Sequence, residues 1–191
     1  MLLITGCGRS GTKYISMVLR RAGLDVGHET RLGEDGIVSS FWTVDADRYP
    51  GRHVQGPQPK FDVILHQVRN PLRTISSLTT GSQKSWKWNA RYIPIAEDAP
   101  ALRKAADYWY YWNLLADARS DWTYNIELLE EEWEEFSRMT GITCTYGEAT
   151  DGLSKNTNTR PHIEYTWTDI KHITPLYEEI RILAMSYGYQ E

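Results

Sequence analysis

A glycine-rich octapeptide between an apolar run and a helical pattern constrains this chain more than any other feature. Residues 6–13 read GCGRSGTK and follow the apolar run Leu2–Thr5, which is typical of a buried strand. From Lys13 apolar residues recur at three- and four-residue spacing, and Gly23 is a natural helix stop. Glycines let backbone N–H groups approach an oxyanion, and a following helix adds unpaired N–H groups. The segment therefore predicts an anion-binding loop, with candidate ligands Gly8, Arg9, Ser10, Gly11, Thr12 and Lys13.

The order of residues at the end of this loop separates it from the ATP- and GTP-binding P-loop. That motif places lysine directly after its last glycine and a hydroxyl residue next. Here Gly11 is followed by Thr12 and then Lys13. Since one helical residue is a rotation of about 100°, Lys13 cannot point where a triphosphatase lysine points. A plain strand-to-helix turn is the alternative, but it would leave cations beside a positive helix end without an anionic partner.

A second core strand ends in a cation rather than an acid. Phe61–Val68 reads FDVILHQV and runs directly into Arg69. A triphosphatase needs an acidic residue at such a strand end to help hold magnesium, whereas a cation there faces the ligand crevice and suits a second phosphate. Ser76 and Ser77 follow on a short helix and could grip the same phosphate. The alternative is that Arg69 forms a structural ion pair and the serines cap the helix or face solvent.

Two phosphate sites suggest a nucleotide phosphorylated at two separate positions. PAPS has this form, with a 5′-phosphosulfate and a 3′-phosphate. The net charge of −4 gives no general attraction to nucleic acid, so an anion site must be local. We expect no nucleic-acid partner and no bound metal.

Strands alternate with helices along the chain, which predicts a parallel sheet with right-handed crossovers. We predict an α/β fold, a P-loop NTPase-like three-layer sandwich with a central parallel sheet flanked by helices, as one domain over residues 1–191. Further strands are predicted at Leu24–Val26 and Trp122–Ile126, and helices at Pro100–Ala118, Leu128–Met139 and Thr174–Tyr187, with Thr166 as a cap. Loops are predicted at Arg31–Lys60 (with one short element at Ile37–Trp42), Ser82–Pro94 and Gly147–His162.

Both phosphate motifs resemble those of the PAPS-dependent sulfotransferase family, in its carbohydrate-type, bacterial-like form. Residues 9–12 (RSGT) match the family's 5′-phosphosulfate loop, which has a basic residue, a hydroxyl residue, glycine and another hydroxyl residue. Residues 69–71 (RNP), with Ser77 eight positions after the arginine, match its 3′-phosphate motif, and Ser76 is the fallback. The resemblance implies PAPS as donor, adenosine 3′,5′-bisphosphate as product, and a hydroxyl or amine of a carbohydrate or small molecule as acceptor.

The resemblance also implies roles for individual residues. Residues 27–29 (GHE) lie where some family members carry a catalytic carboxylate, so Glu29 is the expected general base and His28 the alternative. Arg9, together with Lys13, would stabilise charge on the phosphosulfate. A late basic loop, containing Lys155 and Arg160, would close over the nucleotide or remain a solvated loop.

Several alternatives stay open. The chain could instead be a magnesium-dependent P-loop kinase, or a nucleotide-binding module without activity. His66 is expected to be a buried, hydrogen-bonded side chain rather than a catalyst. Trp86, Trp88 and Tyr92 either stack on a sugar or pin their loop to the body.

Cysteine content and hydropathy indicate the cellular compartment. Cys7 and Cys144 are expected to be reduced, no apolar run approaches the ~18 residues of a membrane helix, and no signal-peptide pattern is present. We expect a cytoplasmic protein; the sequence carries no signal for its oligomeric state.

Overall fold

The central sheet is parallel throughout. The computed structural model describes residues 1–44, 59–154, 161 and 163–190. Within them the sheet has five strands in the order β2-β3-β1-β4-β5. Registers such as Leu3 with Ile37 and Ile4 with Leu65 fix β1 in the centre. The strands are β1 (Leu2–Thr5), β2 (Val26–His28), β3 (Gly36–Val38), β4 (Val63–Val68) and β5 (Trp122–Asn125).

Eight α-helices connect and flank these strands in the described part of the chain. They are α1 (Thr12–Arg21), α2 (Pro71–Leu78), α3 (Gln83–Asn89), α4 (Ala101–Asp117), α5 (Trp133–Thr140), α6 (Tyr146–Thr150), α7 (Trp167–Ile173) and α8 (Tyr177–Ser186). Two 3-10 turns cover Phe41–Thr43 and Ile126–Leu128.

The helices form one layer on each face of the sheet. Leu3 packs in a buried cluster with residues of α2, α3, α4, α7 and α8. Its neighbour Ile4 packs in a second cluster with residues of α1, α5 and α6. Successive side chains of a strand point to opposite faces, so adjacent residues of β1 serve both cores. The predicted α/β class and three-layer arrangement are confirmed.

The chain changes direction across the sheet between β1 and β4. From β1 the connection through α1 leads to β2 on one side, whereas from β4 the connection through α4 leads to β5 on the other side. The helices of these two crossovers cover opposite faces. Ligands of open α/β sheets bind at such a switch point, outside the carboxyl ends of the strands. The glycine-rich loop and Arg69 both lie at this place.

The prediction of a loop over Ser82–Pro94 was wrong, because this segment contains α3. Ser82 caps this helix by accepting the backbone N–H of Ser85 at 3.3 Å. Trp86 and Trp88 face the core, whereas residues 82–85 and Lys87 are exposed. The polar composition therefore marks the solvent side of a short amphipathic helix, which is too short for a clear period to show in the sequence.

Other element boundaries also differ from the prediction. The second strand begins at Val26 instead of Leu24, and the helix expected from Leu128 begins only at Trp133, after a 3-10 turn. The expected helix Thr174–Tyr187 begins at Tyr177, and α7 precedes it. Thr166 was predicted to cap the last helix, but it caps the separate helix α7, in a reciprocal capping box with Asp169.

Two predicted loops hold short elements. In Arg31–Lys60 these are β3 and the turn Phe41–Thr43, while residues 45–58 lie outside the described part. In the loop predicted from Gly147, α6 is present, and residues 155–160 and 162 lie outside it.

Cys7 and Cys144 are both free thiols, and they belong to different sides of the sheet. Among the described residues, no helix combines the length and the apolar character that a membrane span requires.

Candidate functional site

The glycine-rich loop has a backbone that only glycine accommodates at its two ends. Gly6 has φ 152°, and a Cβ there would lie 2.3 Å from the backbone oxygen of Gln67. Gly11 has φ 99° and caps α1, where a Cβ would approach Ile126 to 2.9 Å. Because glycine offers no capping side chain and the first turn of α1 carries no acid, the helix's positive end faces the loop.

Arg9 occupies a strained position within this loop. Its φ of 71° lies in the left-handed region, which non-glycine residues rarely adopt. The turn directs its side chain to α2, where Nε donates to the Ser77 hydroxyl at 2.9 Å. Backbone strain of this kind concentrates at binding and catalytic sites. A cation is thus fixed beside the start of α1.

Arg69 joins the same place from the end of β4. Its Nη1 donates to the backbone oxygen of Arg9 at 3.4 Å, and its Nε lies 3.8 Å from Oε1 of Glu127. The fold therefore brings Arg9, Arg69 and Ser77 together at one corner. Arg69 thus also forms an ion pair, which was the alternative interpretation of this residue. The pair, with Glu127, is half-exposed and long.

The two serines of α2 have different surroundings. Both are buried, but the Ser76 hydroxyl accepts the backbone N–H of Tyr165 at 3.0 Å. Ser77 accepts from Arg9 instead, so its own hydroxyl hydrogen can be donated elsewhere. Ser77 is thus the serine that the fold places against Arg9.

Polar side chains under the loop hold it in place. Gln67 of β4 donates from Nε2 to the backbone oxygen of Ser10 at 2.6 Å and accepts the Tyr124 hydroxyl at 2.7 Å. The Gly8 N–H donates to the Tyr108 hydroxyl at 3.2 Å. Neither of these supports was predicted from the sequence. A glutamine within a buried strand was the signal for the first of them.

Glu29 lies on the other side of the loop, directly after β2. It accepts the Thr12 hydroxyl at 3.2 Å, the Ser39 hydroxyl at 3.2 Å and the Ser40 hydroxyl at 3.3 Å. Its side chain is only 25% exposed, and its φ of 56° is again left-handed. Burial raises the pKa of Glu29 above its usual value, although the three hydroxyls oppose that shift.

Ser39 and Ser40 were not foreseen as site residues. They follow β3, whose end lies beside that of β2. The Ser40 backbone oxygen accepts the indole N–H of Trp112 at 3.0 Å, which ties this turn to α4. The carboxylate therefore sits in a hydroxyl cradle supported by the core.

His28 shares a hydroxyl with Glu29. Its Nε2 lies 3.3 Å from Oγ1 of Thr12 and 3.7 Å from Oε1 of Glu29. Burial, followed by the charges of Arg20 and Lys13, lowers the pKa of His28 to about 4. His28 is neutral at pH 7 and a weaker base than an ordinary histidine, so the pKa directions favour Glu29.

The remaining predicted residues differ in their exposure. Lys13 is exposed in the first turn of α1, whereas Ser10 is 1% exposed and its hydroxyl has no hydrogen-bond partner within the described residues. Arg160, with Lys155, lies outside the described residues.

Two sequence alternatives are decided by burial. His66 is fully buried, with Nε2 3.1 Å from Oδ1 of Asn113 and Nδ1 3.2 Å from Oγ1 of Thr123, so it is a structural side chain. Trp86 and Trp88 are 5% and 8% exposed, and they make edge contacts with core aromatic rings. They pin their segment to the body and offer no open stacking surface.

No cluster of three or more histidine, cysteine, aspartate or glutamate side chains within the described ranges is placed to hold a metal ion.

No protein-family model matches this chain, and no curated protein matches it. The chain is similar to a solved structure, the crystal structure of mouse sulfotransferase SULT7A1 complexed with PAP. The TM-score is 0.44 and the identity 12%, over 97% of this chain and 88% of that one. A similarity this distant does not assign a function.

Proposed function

We propose that this chain is a sulfotransferase that moves a sulfuryl group from PAPS to a hydroxyl or amine of a carbohydrate or small-molecule acceptor. The observation that carries the proposal is the convergence of Arg9, Arg69 and Ser77 at the uncapped start of α1. Arg9 belongs to the loop before α1, whereas Arg69 and Ser77 belong to the end of β4 and to α2, so adjoining elements offer donors to two phosphate groups of one nucleotide.

The 5′-phosphosulfate fits the loop and the start of α1. Backbone N–H groups at the helix start provide donors, and the Ser10 hydroxyl, which has no hydrogen-bond partner among the described residues, would gain one there. Arg9 is the cation held nearest by the loop, and Lys13 adds charge from the first helical turn.

The 3′-phosphate fits the corner between β4 and α2. Arg69 offers a planar fork of donors that suits a phosphate, and Ser77 keeps a hydrogen to donate. Asn70 caps α2 by accepting the Arg73 N–H at 3.0 Å, which fixes the direction of the helix that carries Ser77.

The reaction needs a base on the acceptor side. Glu29 would take the proton of the acceptor hydroxyl while its oxygen forms a bond to sulfur. The bond between sulfur and the bridging oxygen then breaks, and Arg9 would stabilise the negative charge left on the 5′-phosphate. The raised pKa of Glu29 brings its basicity closer to what this proton transfer requires.

One observation favours a second candidate, a magnesium-dependent P-loop kinase. The Thr12 hydroxyl and the Glu29 carboxylate lie 3.2 Å apart at the mouth of the loop. A hydroxyl and an acid in this relation could help hold magnesium beside a triphosphate. Against it stand the inverted order of Thr12 and Lys13 and the arginine at the end of β4.

Calorimetric binding of adenosine 3′,5′-bisphosphate and of ATP, each with and without magnesium, separates the two candidates. We expect tight, metal-independent binding of the bisphosphate and weak binding of ATP, followed by turnover of PAPS with a suitable acceptor. Magnesium-dependent ATP binding without bisphosphate binding would contradict the proposal and favour the kinase. Tight bisphosphate binding without turnover on any acceptor would indicate an inactive binding module.

A further inference from the structure

The residues that follow α8 contact the site through Glu127. Gly188 has φ 86°, a left-handed conformation that suits glycine, and turns the chain back onto the helix. The Tyr189 N–H donates to the Ala184 backbone oxygen at 3.0 Å. The Tyr189 hydroxyl then donates to Oε2 of Glu127 at 2.7 Å, across 62 residues of sequence. This segment is therefore seated against the turn after β5.

Glu127 in turn contacts the end of β4. The backbone N–H of Asn70 donates to its Oε1 at 3.2 Å, and the Arg69 Nε lies 3.8 Å from the same oxygen. The two shorter contacts, from Asn70 and Tyr189, hold the carboxylate from two sides. Arg69 lies against this fixed carboxylate, so its guanidinium plane depends on where the carboxylate is held.

The Tyr189 hydroxyl acts as a hydrogen-bond donor to Glu127. Burial, followed by the nearby Glu127 carboxylate, raises the pKa of Tyr189 far above its usual value. The hydroxyl stays protonated and donates its hydrogen to Glu127. A carboxylate that accepts this hydrogen competes less strongly with a phosphate for Arg69.

We propose that Tyr189 is a positioning residue for the second phosphate of the nucleotide: through Glu127 it sets the direction of Arg69 and how strongly Arg69 holds that phosphate. The inference rests on the proposed function, because it takes the ligand of Arg69 to be a 3′-phosphate. Nucleotide affinity then depends on how the segment after α8 is seated.

Calorimetry with adenosine 3′,5′-bisphosphate and with 5′-AMP tests this inference. We expect Tyr189→Phe to weaken bisphosphate binding roughly threefold to tenfold. The substitution removes one hydrogen bond to the charged Glu127, which contacts Arg69 and not the ligand itself. Binding of 5′-AMP should change by less than about twofold, since it lacks the 3′-phosphate. Tyr177→Phe is the matched control, because it removes a tyrosine hydroxyl at another place. The Tyr177 ring lies against the ammonium group of Lys171, at the end of α7.

A double-mutant cycle separates positioning from packing. In an Arg69→Ala background, Tyr189→Phe should have no further effect on bisphosphate binding. An equal loss for both nucleotides, or the same loss in the Arg69→Ala background, would mean that Tyr189 only packs, and would overturn the inference. A wild-type protein that prefers the bisphosphate and an unchanged Tyr189→Phe variant would overturn this inference alone. A wild-type protein with no such preference would overturn the proposed function and the inference together.

Discussion

At the scale of single residues, Glu29 is the side chain on which the proposed chemistry depends. We expect Glu29→Gln to lower turnover by about 10²- to 10⁴-fold, because glutamine keeps the shape and cannot accept the acceptor's proton. Bisphosphate affinity should stay near that of the wild type. Single-turnover rates and calorimetry measure the two quantities, and Glu130→Gln on the exposed surface is the control.

The pH dependence of kcat/KM tests the same role of Glu29. Glu29 is active only as a carboxylate, and burial raises its pKa, so kcat/KM should rise with pH through that raised pKa. The rise should be absent from the residual activity of the Glu29→Gln variant. If turnover survives the substitution, the base is His28 or another group.

Arg69 should discriminate between nucleotides. We expect Arg69→Ala to weaken binding of adenosine 3′,5′-bisphosphate by at least about tenfold and that of 5′-AMP by much less, because a bidentate cation–phosphate contact is lost only with the former. Calorimetry on both ligands provides the comparison, with the exposed Arg73→Ala as the control. Equal weakening of both would contradict the role of Arg69 at the 3′-phosphate.

His28 should make the fold sensitive to acid. Its pKa falls from 6.5 in the unfolded chain to about 4 in the fold, so the neutral form is favoured by folding. This stabilisation is present above pH 6.5 and is lost as the pH falls toward 4.

We expect the free energy of unfolding to fall between about pH 7 and pH 4 by on the order of 2 kcal/mol more in the wild type than in His28→Gln. Denaturant unfolding measures it. His172→Gln, on the exposed surface, should behave like the wild type; an identical pH slope in His28→Gln would contradict the prediction.

At the scale of elements, the loop depends on the strand beneath it. We expect Gln67→Leu to destabilise the protein by about 2 kcal/mol, because the Ser10 backbone oxygen and the Tyr124 hydroxyl each lose a buried partner. Nucleotide binding should weaken as well, since the loop is no longer held to β4. Denaturant unfolding and calorimetry measure the two effects.

Tyr124→Phe separates these two consequences, because it removes the contact to the core and leaves the bond from Gln67 to the loop. It should affect stability and leave nucleotide affinity nearly unchanged. If it weakens binding as much as Gln67→Leu does, the glutamine is not what holds the loop.

At the scale of the whole molecule, both cores meet in one strand. We expect Leu3→Ala and Ile4→Ala to cost about 2–5 kcal/mol each, because each leaves a cavity on a different face of β1. Both should shift the same single unfolding transition, with coincident circular dichroism and fluorescence curves, as expected for one domain over residues 1–191. Two separated transitions would contradict the single-domain prediction.

The architecture and the position of the loop could be predicted from the amino-acid sequence alone. The period of apolar residues shows which segments are strands and which are helices, and the glycines at 6 and 11 mark backbone positions that a side chain would block. The apolar period and the glycine spacing are local properties, so they can be read from the sequence. The atoms of Gln67 and Ile126 that would block a side chain at these glycines are known only from the fold. The prediction failed at α3, whose seven residues are too few for its period to be visible.

Which polar residues meet could be known only from the packed molecule. Ser39 and Ser40 hold Glu29, Gln67 holds the loop, and Tyr189 contacts Glu127. The last two contacts join residues that are 57 and 62 positions apart in the chain. The same packing places Ser77 rather than Ser76 beside Arg9 and lowers the pKa of His28. Burial and charge at a site depend on every element packed around it, which no local pattern records.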